Sequence, residues 1–163
     1  MKKMILLLFV AISALSGSAQ SFTVNGNVLE LPSSIVFQTG TDVLKPESDA
    51  ALKHIQLYLE SKTYITLLRI EGHTDNDMPP VKQQGLSEKR AMAVVKWLIA
   101  HGIDCKRLLP VGFGNTKPIA SGNTPEGRSQ NQRITVVNAS LRGRPIGGMP
   151  TDGGGLVVGD PCK

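Results

Sequence analysis

The segment over residues 65–70, which reads ITLLRI, restricts the fold of this chain more than any other feature. Apart from Thr66 and Arg69 it is apolar on both faces, and such a strand belongs in the middle of a covered sheet. Segments with strand-like and helix-like patterns alternate around it, ending in a short helix and a last strand. This order predicts an α/β two-layer sandwich with helices on one face. Because the last connection is too short for a full crossover helix, we expect a mixed sheet.

The spacing of apolar residues predicts two longer helices. The first opens at Pro46, whose φ is already compatible with a helix, and it buries a stripe that includes Leu52 and Leu59. The second is predicted over residues 86–101, with Gly102 as its stop signal. The shorter predicted elements are a hairpin at Asn25-Gly26, strands at residues 35–37, 107–111 and 133–137, and a helix at residues 125–130.

The amino terminus has the layout of a secretory signal peptide. Lys2 and Lys3 precede an apolar run over residues 4–15, and Gly-Ser-Ala follows at residues 17–19. The apolar run is shorter than the roughly 20 residues that a membrane span needs. We therefore expect cleavage after residue 19 and an exported mature chain without a transmembrane span.

The remaining sequence divides into three segments of different character. A hairpin segment covers residues 20–32, and the folded domain is predicted over residues 33–139. Residues 140–163 are rich in Gly and Pro, contain no aromatic residue and carry few charges. Such a composition buries too little surface to offset its ordering entropy. We expect a flexible tail there, fastened back at Cys162 if that cysteine is bonded.

Two cysteines leave two interpretations open. In an exported chain Cys105 and Cys162 can form one intramolecular disulfide. Alternatively, Cys105 is a buried thiol and Cys162 pairs between molecules. The first interpretation is favoured.

Charge and motifs exclude several classes of function. The net charge is +5, of which Lys2 and Lys3 supply two, and the other basic residues are scattered without interleaved aromatics. This distribution argues against nucleic acid as a partner. His73, Asp75 and Asp77 fit neither a zinc spacing nor a calcium loop, so no metal is predicted. No nucleophile, phosphate-binding or dinucleotide motif is present, so we expect neither an enzyme nor a cofactor.

An acid and a base flank one loop in the stretch GHTDNDMPPVKQQGLSEKRA. Asp75 lies at the carboxyl end of the central strand, where sheets commonly present binding residues. Arg90 is predicted near the start of the next helix, and the backbone N–H groups of Leu86 and Ser87 would add an anion-binding feature there. Together these groups suit a ligand that carries both an ammonium and a carboxylate. The alternative is that Asp75 and Arg90 pair with each other.

Several motifs, in order, resemble those of the OmpA-like peptidoglycan-binding domains. The matching stretches are IVFQTGTDVLKPES, GHTD, LSEKRA, VGFGNTKPIA and NTPEGRSQNQRI. The resemblance runs from residue 35 to about residue 139 and implies a βαβαβ-type sandwich. It also implies non-covalent binding of the diaminopimelate in the peptide stem of peptidoglycan, and a periplasmic protein associated with the cell wall and the outer membrane.

The resemblance assigns roles to particular residues. Asp75 and Arg90 match the pair that grips diaminopimelate in the family. Gly40 and Thr41 match the loop that lines the pocket, and Asn131 matches the asparagine of the closing motif.

Two positions depart from the family pattern. Gln83 stands where the family usually has asparagine, and Gln132 stands where it usually has arginine. These changes put the ligand preference in question. Two other functions therefore stay open. One is an interaction module that docks an outer-membrane or envelope protein. The other is a hydrolase that uses Glu71 with Asp75.

Overall fold

The computed structural model describes residues 21–163, so the predicted signal peptide lies outside the described residues. Its main elements, in chain order, are β1 (Val24–Asn25), β2 (Val28–Leu29), α1 (Asp49–Ser61), β3 (Ile65–His73), α2 (Pro80–Ala100), β4 (Leu108–Gly112), α3 (Pro125–Asn131), β5 (Arg133–Leu141), β6 (Arg144–Pro145) and β7 (Leu156–Val157). Within this part of the chain, no helix is both long and apolar enough to cross a membrane.

The segment ITLLRI is central, as predicted. The strands follow one another across the sheet in the order β1-β2-β5-β3-β4-β7, and β6 pairs with β5. Strand β3 runs parallel to β4 and antiparallel to β5, so the sheet is mixed. The predicted two-layer sandwich with a mixed sheet is confirmed, and its class is α+β.

One face of the sheet packs against the two long helices. The buried apolar residues of α1 and α2 form one cluster with Leu68 and Ile70 of β3. Gly72 lets α2 approach β3 closely, because a Cβ at that position would lie 2.1 Å from the carbonyl oxygen of Ser87. This contact seats the helix that carries Arg90 directly over the strand that ends before Asp75.

Two predicted elements differ in the structure. Helix α2 begins at Pro80, six residues before the predicted start. Proline suits the first helical position because its missing N–H needs no partner there. Residues 35–37 form only an isolated bridge between Phe37 and Leu44.

The predicted flexible tail instead lies against the sheet. We name residues 144–163 the C-terminal strap. It pairs with β5 through β6 and with β4 through β7, where Val111 faces Val157. Arg69 donates hydrogen bonds to the carbonyl oxygens of Gly147 and Gly148, at 2.9 and 3.2 Å. Backbone and side-chain hydrogen bonds thus hold a segment whose composition offers little apolar burial.

A disulfide joins the strap to the domain. Cys105 and Cys162 are bonded in the structure, with their Cα atoms 5.3 Å apart and a sequence separation of 57. Cys105 opens the short helical turn before β4, and Cys162 follows β7. The bond therefore lies next to the pairing of β7 with β4.

Candidate functional site

Asp75 lies just beyond the carboxyl end of β3 and is almost fully buried. The residue is 3% exposed. Oδ1 accepts a hydrogen bond from the backbone N–H of Asp77 at 3.1 Å, which fixes the turn after the strand. Oδ2 accepts a hydrogen bond from the side-chain amide of Gln132, at the end of α3. The carboxylate is therefore held by one backbone donor and one side-chain donor.

Arg90 is also buried, at 5% exposure, but it lies midway along α2 rather than near its start. Its Nε donates to the carbonyl oxygen of Thr41 at 2.9 Å, and its guanidinium carbon lies 4.9 Å from the centre of the Phe37 ring. Burial lowers the pKa of Arg90, and the nearby carboxylates of Asp75 and Asp42 partly offset that shift. The loop before α1 thus orients a charged planar group.

Asp75 and Arg90 do not form an ion pair. Among residues 21–163, none of the ion pairs within 4 Å joins them. Their interaction is a longer-range attraction, which contributes to the pKa of Arg90. The alternative that Asp75 and Arg90 pair directly with each other therefore does not apply in this structure.

Arg90 and Asp75 line two different cavities, and Gln132 lines the one that contains Arg90. A cleft of about 390 Å³ is lined by Arg90, Gln132, Phe37 and Arg133, among others, and Asp75 does not line it. Asp75 instead lines a second cavity together with Asn76, Asn115 and Asn131. The acid and the base therefore face different spaces while the Gln132 amide is bonded to Asp75.

Gly40, Thr41 and Leu86 line a third cavity with Met78 and Lys82. The side chain of Leu86 is thus close to the loop predicted from the family pattern. Its backbone N–H cannot serve as an anion site, however, because the early start of α2 places residue 86 in the helix interior. That part of the sequence prediction is wrong.

Asn131 has a clear role within the fold. Its Oδ1 accepts hydrogen bonds from the backbone N–H groups of Ile119 and Ala120 at 2.8 and 3.0 Å. Its Nδ2 donates to the carbonyl oxygen of Ala120 at 2.9 Å. With three hydrogen bonds to one loop, Asn131 shapes the wall of the cavity beside Asp75.

A second group of charges lies on the sheet face beneath the C-terminal strap. Arg69 Nε donates to Glu71 at 2.7 Å, and His73 Nε2 lies 3.4 Å from the other oxygen of Glu71. Burial opposes the charge on Glu71, but the contact with His73 and the charges of Arg69 and Lys117 outweigh it, so the pKa of Glu71 is lowered. The Glu71 carboxylate therefore faces Arg69 and His73 in a covered position, which does not favour its use as a hydrolytic partner of Asp75.

The surroundings of His73 lower its pKa below the ordinary value for histidine. Burial lowers its pKa, the Glu71 contact partly opposes this, and the positive charges of Arg133 and Lys117 lower it further. Its ring stacks on Phe113 with centroids 5.2 Å apart. In the described part of the chain, no group of three or more His, Cys, Asp or Glu side chains is placed to hold a metal ion.

Sequence reasoning missed two contacts of this site. It named Gln132 only as a departure from the family pattern, and it did not connect Phe37 with Arg90. Neither contact leaves a local signal, because Gln132 lies 57 positions after Asp75 and Arg90 lies 53 positions after Phe37.

Comparison with known proteins identifies the family. The model of the OmpA family matches residues 36–132, which is more than half of the chain. The chain belongs to the OmpA family. The match covers the elements from the Phe37 loop to Gln132, and so it includes both Asp75 and Arg90.

Individual proteins also resemble the chain over most of its length. The probable lipoprotein YiaD of Escherichia coli is 31% identical over 127 residues, which is 77% of this chain and 58% of YiaD. The periplasmic domain of Helicobacter pylori MotB superposes with a TM-score of 0.60 at 26% identity, covering 71% of this chain and 78% of that domain. The peptidoglycan-associated lipoprotein of Burkholderia pseudomallei gives 0.57 at 27% identity, covering 64% and 86%. The chain thus spans little more than half of YiaD.

Proposed function

We propose that this protein binds peptidoglycan non-covalently in the periplasm and that its ligand group is the diaminopimelate of the peptide stem. Membership of the OmpA family supports the association with peptidoglycan. The ligand group is inferred from the chemistry of Asp75 and Arg90. Diaminopimelate carries a free ammonium and a free carboxylate on one carbon, which these two side chains complement.

The observation that carries the proposal is that the Arg90 guanidinium is held in place but only partly hydrogen-bonded. Its Nε is used by Thr41, while its terminal nitrogens make no hydrogen bond with any described residue. Those nitrogens belong to a buried, oriented group that lines a cleft. A planar fork of this kind binds a carboxylate through two parallel hydrogen bonds. Because the helix and the Phe37 ring already hold Arg90, little conformational entropy is lost on binding.

Asp75 supplies the complementary negative charge. It is anchored through Oδ1 by a backbone N–H and can receive an ammonium at Oδ2 once Gln132 moves away. A buried carboxylate interacts with an ammonium more strongly than an exposed one, because water screens the pair less. The two charges together would select a zwitterion over a simple acid or amine.

One relative supports the association with peptidoglycan. The Burkholderia protein is described as peptidoglycan-associated and aligns over 64% of this chain. Because the match covers only 58% of YiaD, we do not assign the role of full-length YiaD to this chain. We infer binding without turnover, since the nearby acid Glu71 is paired with Arg69 under the strap.

The test is a titration of the mature protein with meso-diaminopimelate, followed by NMR. Amide shifts should cluster around Asp75, Arg90 and Thr41 and should be lost in Asp75→Ala and Arg90→Ala. Arg144→Ala is the matched control, because it removes an exposed arginine from β6 on the strap. Folded protein without shifts at millimolar ligand would contradict the diaminopimelate assignment.

Co-sedimentation with insoluble peptidoglycan tests the broader part of the proposal. Wild-type protein and Arg144→Ala should sediment with the polymer, and the two site variants should not. Soluble fragments released during the incubation would instead indicate a hydrolase. Sedimentation that survives both site substitutions would move wall binding to another surface.

A further inference from the structure

We propose that Gln132 is a gate and specificity-determining residue: its side-chain amide occupies the position on Asp75 that the ammonium of a ligand must take. The inference rests on the proposed function. It concerns how the ligand reaches Asp75 and which ligands can do so.

The first step of the argument is the different exposure of the two partners. Asp75 is 3% exposed, whereas Gln132 is an exposed residue at the carboxyl end of α3. The exposed amide therefore covers the buried carboxylate at Oδ2. Glutamine has three side-chain torsions and a solvated surface position, so it can move away without disturbing the core.

The second step is the separation of the cavities. Gln132 lines the cleft that contains Arg90, and Asp75 does not line that cleft. Moving the Gln132 amide away from Oδ2 would uncover Asp75 on the side of the Arg90 cleft. The acid and the base would then face one space, as binding of a single zwitterion requires.

The third step concerns selectivity. A ligand that reaches Asp75 exchanges the hydrogen bond from Gln132 for its own. A neutral amide ligand gains little by replacing another neutral amide, whereas an ammonium adds a full charge to the contact. The gate therefore favours stems whose diaminopimelate amine is free over stems in which that amine is acylated.

The test compares wild type with Gln132→Ala. Removing the competing donor should tighten binding of meso-diaminopimelate by about tenfold, the equivalent of one hydrogen bond to a charged group. Binding of pimelate, which has the same chain and both carboxylates but no amine, should not tighten. Gln130→Ala is the matched control, because Gln130 is an exposed residue of α3 that does not line the Arg90 cleft.

The side-chain NH₂ signals of Gln132 provide a direct readout that a merely structural role would not move. In the wild type these signals should shift toward free-glutamine positions as meso-diaminopimelate is added, and they should stay in place with pimelate. Unchanged signals, or binding to Gln132→Ala that is equal to or weaker than wild type, would overturn the gate while leaving the proposed function standing. Absence of binding in both proteins would overturn the proposed function itself.

Discussion

Reduction of the bond between Cys105 and Cys162 should destabilise the protein substantially. The bond closes a loop of 57 residues. In the chain-entropy model, releasing a loop of that length gives the unfolded state about 4 kcal/mol of additional conformational freedom. The folded strap cannot compensate, because β7 has only two residues and both Leu156 and Val157 are exposed.

Urea denaturation with and without reductant measures this effect. With a urea dependence of about 2 kcal/mol per molar, typical for a domain of this size, the midpoint should fall by about 2 M. The double variant Cys105→Ser/Cys162→Ser should match the reduced protein, and reductant should not change it further. This control separates loss of the cross-link from other effects of the reductant.

Hydrogen exchange shows where the effect begins. The backbone N–H of Val158 donates to the carbonyl oxygen of Pro110 at 3.0 Å, beside the disulfide. After reduction this amide should lose protection before the amides of β3 and β5, because the short strand β7 detaches locally. An unchanged urea midpoint together with unchanged protection at Val158 would refute the reasoning.

Two further predictions concern stability. Gly72→Ala should lower the free energy of unfolding by about 3 kcal/mol or more, because its Cβ would overlap a backbone oxygen of α2. Gly85→Ala should raise the free energy of unfolding by about 1 kcal/mol, because Gly85 lies inside α2 and a Cβ there has no neighbouring atom within 4 Å. The urea midpoint should therefore fall in Gly72→Ala and rise in Gly85→Ala. Equal shifts in the two variants would contradict the close contact between Gly72 and α2. Acidification through pH 6.5 should lower the free energy of unfolding. Burial keeps the pKa of His73 and of His54 below the ordinary value in the folded protein. As the pH falls through 6.5, the unfolded chain therefore gains protons at these histidines before the folded protein does. The slope is at most about 1.4 kcal/mol per pH unit for each histidine, and His73→Gln should flatten it.

Local patterns predicted those elements whose residues repeat with a clear period. The two-faced apolar strand β3 and the apolar stripe of α1 are examples. The first turns of α2 lack such a stripe, since Val81 is 85% exposed, and the predicted start was therefore late. The proline pair before that turn was the available signal for an earlier start.

The C-terminal strap could not be predicted from composition. Its strands are two residues long, so they carry no periodicity. It is held by Arg69, by pairing with β4 and by a disulfide, and these partners lie far away in sequence. Only β5, which pairs with β6, is a neighbour along the chain. The low apolar content of the strap prevents it from forming a hydrophobic core of its own, but it does not prevent the strap from attaching to an existing sheet.

The sequence by itself determined the alternating architecture, the central strand, and the choice of an acid and an arginine on either side of one loop. These features depend on local periodicity and residue chemistry, which a chain carries without its fold. Tertiary structure alone decided that Thr41 and Phe37 orient Arg90 and that Gln132 covers Asp75. Those contacts join residues about 50 positions apart, and their geometry exists only after the helices have packed on the sheet.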